Sequence, residues 1–480
     1  MNIRLRSGVE MPVEMHKVRI VQEIKLQPVR QRLKAMEEAG YNTFLLRTRD
    51  VFLDMLTDSG VNAMSDQQLA AMMIADDAYA GSESYYRLCD AVRDVMGFHF
   101  TLPVHQGRAA EHLVNKIFLK EGGVVITNYH FTTSRAHVEI PGMTMLELFH
   151  DRALITESDY PFKGNIDLEK VRKAIAEHGK DRVAYVRMEA TTNLLGGQPF
   201  SMANLREVRE VCDEFGIPLV LDGSLISENA FLIREREEGY GGKSIAEIVK
   251  ELCSLVDVYY MSARKSASVR GGLIATNNER LFEETRNYLP VYEGFQTYGG
   301  MSIKEVEAMA VGLREMVSES VAGASVLQIR YFAKRFREAG IPIVTPPGGL
   351  ACHIDASKFL PHIEQPHYIA GAMAAATYLV SGIRTMERGT VSTDRAPDGT
   401  EMMADLELCR FAVPRRVYTV SHLEYAVDRL TWLYEHRELV KGLRFVYEPP
   451  VLRFFFGKME PLEGWGEALV KAFERDFGEY

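Results

Sequence analysis

The sequence predicts an α/β protein: a large domain built on a mostly parallel sheet, with a smaller α+β domain after it. Three observations predict this. Short apolar, β-branched runs alternate with capped amphipathic helices from about residue 80. The runs are apolar throughout rather than at every second position, as in strands buried on both faces. After about residue 310 the alternation stops, and a long amphipathic helix, short strands and a polar loop take its place.

The elements follow in order. Residues 1–56 precede the first βαβ segment and are expected to form an N-terminal arm and part of the small domain. The large domain is expected over 57–315. In it "GSESYYRLCDAVRDVMG" reads as a helix, and "GVVITN" (123–128) and "MTMLELF" (143–149) as short buried strands. "DLEKVRKAIAEHG" is a helix with an Asp cap and a closing Gly179. The strand "VAYVRME" (183–189), the capped helix "SMANLREVREVCDEFG" (201–216) and the strands "PLVLDG", "VDVYYMS" and "GLIATN" complete it. The small domain, 316–480, starts with the helix "SVLQIRYFAKRFREAG" (325–340) and contains the loop "GTVSTDRAPDGTEMMADLE". There is no internal repeat.

Composition narrows the function. The chain has 480 residues, 46% hydrophobic and 25% charged, and a formal net charge of -10. Mixed charges with an acidic balance argue against a nucleic-acid or anionic-membrane partner. Cys89, Cys212, Cys253, Cys352 and Cys409 are scattered and odd in number, without metal spacing, so reduced thiols are expected. The N-terminus has no apolar run of signal length and no segment has the length of a membrane span, so a cytoplasmic protein is expected.

Active sites in such sheets gather at the carboxyl ends of strands, and two residues stand there. Asp222 ends "PLVLDG", and Lys265 lies just past "VDVYYMS". Alone, Asp222 reads equally as a turn or capping acid. Lys265 alone reads as a surface charge, as the lysine of an S-x-x-K acylase, or as an amine that holds a carbonyl cofactor. The acylase reading lacks its S-D-N and K-T-G partners. Together, an acid to pair with a pyridinium nitrogen and a desolvated amine to take an aldehyde suit pyridoxal phosphate. "HQGRAAEHL" places Gln106, Gly107 and Arg108 at a helix start, which suits a phosphate. The bland reading is a loop before a surface helix. Arg388 and Arg410 lie in apolar strand-like runs, where each fits either a substrate carboxylate or a structural ion pair.

These residues sit within longer stretches: "EAGYNTFLLRTRDVFLDMLTDSGVNAMSD", "HQGRAAE", "HFTTSR", "TTNLLGGQP", "SENAFLI", "MSARK", "YEGFQTYGG", "MERG", "PRRVYT" and "YEPPVLRFF". With them the chain closely resembles the β-eliminating lyases, the family of tyrosine phenol-lyase and tryptophanase, over nearly its whole length. The resemblance implies the type I aminotransferase fold of pyridoxal-phosphate enzymes. It also implies a homotetramer with sites shared across a subunit pair. Lys265 would bind the cofactor aldehyde and remove the substrate α-proton, and Asp222 would hold the pyridine nitrogen protonated. Gln106, Gly107, Arg108 and Ser262 would bind the phosphate, Phe131 would stack on the ring, and Asn193 would touch its O3′ side. Arg410 would clamp the α-carboxylate, with Thr57 and Ser59 nearby, and Tyr79 of a neighbouring subunit would protonate the departing ring. Thr132 and Arg388 would hold a phenolic oxygen, and Phe44, Phe454 and Phe295 would shape the aromatic pocket. A potassium ion would sit near Gly60 and Asp77.

Tyrosine, or a close hydroxyphenyl amino acid, is then the expected substrate, and phenol, pyruvate and ammonia the products. The chain departs from the family pattern where an arginine following the aspartate becomes Leu225 and a lysine pair becomes Arg264–Lys265. The loop "SASVRGG" is shorter, Asp77 replaces a glutamate, and Phe295 replaces a methionine. These departures leave room for a member that acts on another amino acid without releasing phenol, for a tryptophanase, and for a catalytically silent cofactor-binding protein.

Overall fold

The computed structural model describes residues 1–480 and gathers seven strands into one sheet. The strands are β1 (Phe100–Val104), β2 (Val124–Thr127), β3 (Thr144–Glu147), β4 (Val183–Glu189), β5 (Leu219–Asp222), β6 (Val258–Ser262) and β7 (Gly272–Thr276). Their order is β1-β7-β6-β5-β4-β2-β3, and only β7 runs against its neighbours. Six of these strands are expected from apolar runs. The seventh, β1, is hidden in the sequence by Pro103, which an edge strand tolerates because one side of it needs no ladder hydrogen bonds.

The helices that matter for the site are α1 (Val29–Glu38), α2 (Gly107–Phe118), α3 (Ile226–Arg236), α4 (Glu319–Glu338) and α5 (Ile369–Ser381). Period-2 alternation sends Ile126, Val186, Leu219, Leu221 and Met261 to one face of the sheet, into the larger of its two apolar layers. Val125, Tyr185, Val220, Val258 and Ile274 point the other way, against Ala109, Ala110 and Leu113 of α2. Both faces are therefore covered, which is why the strands read as continuous apolar runs.

A second core lies around the antiparallel strands β8 (Ala351–Asp355), β9 (Met386–Arg388) and β10 (Leu408–Ala412), ordered β8-β10-β9. At its centre α5 is buried at every position, as its alanine-rich, chargeless sequence requires. Val29, Leu33 and Met36 of α1 and the stretch from Tyr41 to Leu56 join this core rather than the sheet. Helix α4 ties the two units together. Its Ala322 and Val326 enter the sheet core, and its Ile329, Phe332 and Phe336 enter the second. It starts six residues before the amphipathic run, because the small residues of "SVAGAS" give no apolar stripe.

A buried ionic clasp also joins the units. Arg415, just after β10, donates to Asp58 Oδ2 at 2.7 Å and to Glu228 near the start of α3, and all three are buried. Glu228 Oε2 accepts further from Ser266 Oγ at 2.9 Å. Removing one member of such a set leaves buried charge unpaired. Arg415→Met is therefore expected to lower unfolding stability by about 3–5 kcal/mol, read from the shift of the urea midpoint.

Candidate active site

The site forms where β5 and β6 end, on the face of the sheet that α2 covers. The turn after β6 carries Lys265, and β7 returns with Gly272 paired to Ser262. Helix α2 begins close against this turn. A Cβ added to Gly107 would lie 2.9 Å from Ser262 Cβ and 3.1 Å from Ser262 N, so only glycine allows the approach. The same crowding holds at Gly272, where a Cβ would meet Met261 O at 2.6 Å. The result is a helix N-terminus, with unpaired N–H groups in its first turn, set beside the serine that ends β6.

One cleft of ≈ 230 Å³ opens above these elements. Of the residues singled out in the sequence, it gathers Lys265, Gln106, Gly107, Arg108, Phe131, Asn193, Asp222 and Ser262. Arg410, Arg388, Thr57, Ser59, Phe44 and Phe454 complete its wall. Thr132 stands just behind, its Oγ1 accepting from Arg388 Nη1 at 3.2 Å. Tyr79 and Phe295 lie elsewhere on the chain. They stack on each other at 5.7 Å, and Tyr79 is 69% exposed, with Tyr298 at its edge. Asp77 is also exposed, and Gly60, at φ +78°, donates its N–H to Arg264 O at 2.8 Å.

Asp222 is held from two sides. Ser224 donates to its Oδ1 through Oγ at 2.7 Å and through N at 3.1 Å, and Arg187 Nη2 donates to Oδ2 at 2.7 Å. Ser262 N in turn donates to Ser224 Oγ at 2.9 Å, so the turn after β5 and the end of β6 share one chain of hydrogen bonds. The Lys265 amine makes no hydrogen bond or ion pair and stands 5.1 Å from the centroid of the Phe131 ring. Arg388 Cζ lies 5.5 Å from the same ring. Phe44, Phe454 and Phe455 form an aromatic wall, with centroids 4.0–5.4 Å apart.

The cations of the cleft are its dominant electrostatic feature. Arg388 and Arg410 are buried and neither has a carboxylate partner. Arg410 donates to Asn193 Oδ1 at 2.8 Å and to Leu56 O at 2.6 Å, and the Nε of each arginine is buried without any partner. Burial pulls the Arg410 guanidinium down to about 10, and burial together with Arg410 holds Arg388 well below its ordinary value. Burial, then Arg410 and Arg388, push the His353 imidazole down to about 3. At the α2 end, burial followed by the nearness of Arg270 and Arg108 lowers Arg264. Two groups of cations thus lack anions. One, beside the N-terminus of α2, suits a phosphate, and the other, at Arg388 and Arg410, suits a carboxylate and a second oxyanion. With a free amine and a fixed carboxylate between them, this donor set fits pyridoxal phosphate and an amino acid.

The sequence reading passed over several residues here. Arg187 and Glu189 lie beneath the site on β4, Glu111 faces it from α2, Ser224 holds Asp222, and Asp58 lines the cleft. A signal was available for the first two, because charged residues two apart in a strand buried on both faces must find partners. Leu225 packs against Leu350, Ala351 and Ala412.

Comparison with known proteins agrees with this geometry. Residues 54–429 match the model of the family described as beta-eliminating lyase. The chain is 46% identical over 451 residues to a tyrosine phenol-lyase of Symbiobacterium thermophilum, covering 94% of this chain and 98% of the relative. It is 44% identical to a tyrosine phenol-lyase of Pasteurella multocida, covering 94% and 99%. Among solved structures, a serine palmitoyltransferase of S. paucimobilis with bound PLP superposes with TM-score 0.56 at 13% identity, covering 81% of this chain and 89% of that one. An aminotransferase from Staphylococcus aureus does so with TM-score 0.55 at 13% identity, covering 80% and 94%. These likenesses show the shared fold of pyridoxal-phosphate enzymes.

Glu111 supplies a test of the buried charges. Burial pushes its carboxyl up to about 7, against the lowering effect of Arg187 and of the hydroxyl of Thr133, which donates at 2.8 Å. A carboxyl whose folded value is raised binds more protons folded than unfolded, so stability falls as pH rises from about 4.5 to 7. Without added cofactor, Glu111→Gln is expected to gain on the parent protein across that window. The gain is of order 3 kcal/mol, read as the difference between urea midpoints at pH 5 and pH 8.

Proposed function

The chain belongs to the β-eliminating lyase family, and on that premise we propose that it cleaves L-tyrosine, or a close hydroxyphenyl amino acid, into phenol, pyruvate and ammonia with bound pyridoxal 5′-phosphate. The observation that carries the reading is the pair of carboxylate-free buried guanidiniums, Arg388 and Arg410, on one cleft with the unpaired Lys265 amine. Tyrosine offers an anion or oxygen to each of them.

Pyridoxal phosphate supplies an electron sink for breaking bonds at the α-carbon. The chain's residues do the rest. Gln106, Gly107, Arg108 and Ser262 hold the phosphate, with Arg264 close by. Asp222 would pair with the ring nitrogen, Phe131 would stack on the ring, and Asn193 would border its O3′ side. Arg410 takes the α-carboxylate in the fork geometry of a guanidinium, beside Thr57 and Ser59. Lys265 accepts the α-proton, as an amine with no competing partner can. A phenyl carbanion is too costly to expel, so a proton must reach the ring carbon while the phenolic oxygen is stabilised. Arg388, oriented by Thr132, serves the oxygen through a charge-assisted contact in a dry pocket. An indole leaving group would bring no oxygen for it. Phe44 and Phe454 close over the substrate ring.

Tyr79 would deliver the ring proton in a neighbouring copy, within a homotetramer whose sites are shared across subunit pairs. Its exposed position beside Phe295 supports this, because it cannot serve its own cleft from there. A potassium site near Gly60 and Asp77 rests on the resemblance alone. Five free cysteines support a reduced, cytoplasmic setting, and no helix is long and apolar enough to cross a membrane.

Incubating the cofactor-loaded protein with tyrosine is expected to release phenol and pyruvate together; keto acid without phenol would refute the reading. Lys265→Ala should lose the visible band of the bound cofactor. Arg388→Met is expected to lower phenol release by about 10²-fold or more while the α-proton still exchanges in deuterated water, seen by NMR. Loss of that exchange as well would move Arg388 out of the leaving-group role.

A further inference from the structure

Arg187 lies beneath the cleft, 1% exposed, on the strand that precedes Asp222. Cross-strand register places Glu189 beside Asp222 and Asp222 beside Tyr260 on one face of the sheet, and Arg187 shares that face two residues before Glu189. The guanidinium spends its donors on several groups at once. Nε donates to Tyr260 Oη at 2.8 Å, Nη1 to Tyr129 O at 3.3 Å, Nη1 and Nη2 to Glu189 Oε2 at 3.2 Å, and Nη2 to Asp222 Oδ2 at 2.7 Å. Glu189 continues the chain. Its Oε1 accepts from Asn193 N at 3.1 Å, and Asn193 Oδ1 accepts from Arg410 Nη1 at 2.8 Å. One buried network therefore runs from the acid at the ring nitrogen to the arginine at the substrate carboxylate.

We propose that Arg187 and Glu189 are positioning residues of the cofactor site, which fix Asp222 and Asn193 from below and set how tightly the bound cofactor holds its proton. The inference rests on the pyridoxal-phosphate reading above. A structural ion pair needs only one carboxylate. Here the fork divides between two, and both touch groups of the cleft. Each charge then acts on the cofactor with its own sign. The Arg187 cation opposes a proton there and the Glu189 anion favours one. The other charged or titratable groups that face Arg187 are Glu111 from α2, Asp222 on β5, Tyr260 on β6, Tyr185 on β4 and His130 after β2, with Lys265 and Arg388 beyond Glu189.

The test is a pH titration of the visible absorption of the holoenzyme, together with the dissociation constant of pyridoxal phosphate. Arg187→Gln is expected to raise the midpoint by about one pH unit or more, the scale of one charge at this range in a partly buried site. Glu189→Gln keeps an oxygen for Asn193 N and is expected to lower the midpoint. Arg187→Lys, with the charge but without the fork, should restore most of the midpoint while binding the cofactor less tightly than the parent protein. If Arg187→Gln does not fold, the Lys and Glu189 variants decide. Variants that bind the cofactor yet leave the midpoint unmoved, or that shift it in one common direction, overturn the proposal alone. A parent protein that acquires no visible band with pyridoxal phosphate overturns the cofactor reading and this one with it.

Discussion

Burying a guanidinium without a carboxylate costs several kcal/mol, and this protein does it twice on one cleft. Arg388 has only the Thr132 hydroxyl, and Arg410 the oxygens of Asn193 and Leu56 and the thioether of Met386. Neutral acceptors orient each fork without cancelling its charge, so the field stays directed into the cleft. Burial, reinforced by Arg410 and Arg388, keeps the imidazole of His353 neutral across the strand pair from Arg410. Such an arrangement persists in a folded chain only because the rest of the structure enforces it. The second core, the clasp at Arg415 and the bridging helix α4 are what hold β9 and β10 over the sheet.

The contrast with the other buried arginines separates two uses of one side chain. Arg415 is saturated by Asp58, on the wall of the cleft, and by Glu228 of α3, and its role is to lock the two units together. Asp58 lies between Thr57 and Ser59, so the clasp also fixes the segment that lines this side of the cleft. Arg187 is saturated too, but by groups that themselves reach toward the ligands. Around this cleft, saturated arginines build the frame and unsaturated ones face open space.

How much of this the sequence makes legible follows from the kind of constraint each residue obeys. Asp222 and Ser262 are visible because apolar runs end on them, and Lys265 because it follows such a run. Gly107 is visible at the head of a helix, although its close approach to Ser262 is a tertiary fact. Strand β1 escapes because a proline in a five-residue run masks an edge strand, and the first turns of α4 escape because small residues carry no periodicity. Arg187 and Glu189 escape for a different reason. In "VAYVRME" a strand buried on both faces requires both charges to be paired, but which groups pair with them depends on the order of the strands and on the cover of α2. Patterns local to a strand or a cap can be read, whereas pairings across the sheet depend on its order, which one sequence leaves open.

Leu225 joins these points. Its carbonyl accepts from Thr191 Oγ1 at 3.0 Å, while its side chain enters a small apolar cluster with Leu350, Ala351 and Ala412. Two of those partners lie on β8 and β10 and Leu350 just before β8, so the residue three positions after Asp222 is part of the seam between the units. A cation at 225 would have to leave that cluster, opening an apolar void, before it could reach the cleft. The cation that does touch Asp222 is Arg187, from β4 beneath the cleft, and Glu189 shares its charge. The turn after Asp222 thus divides its work, with Ser224 holding the acid and Leu225 packing the seam.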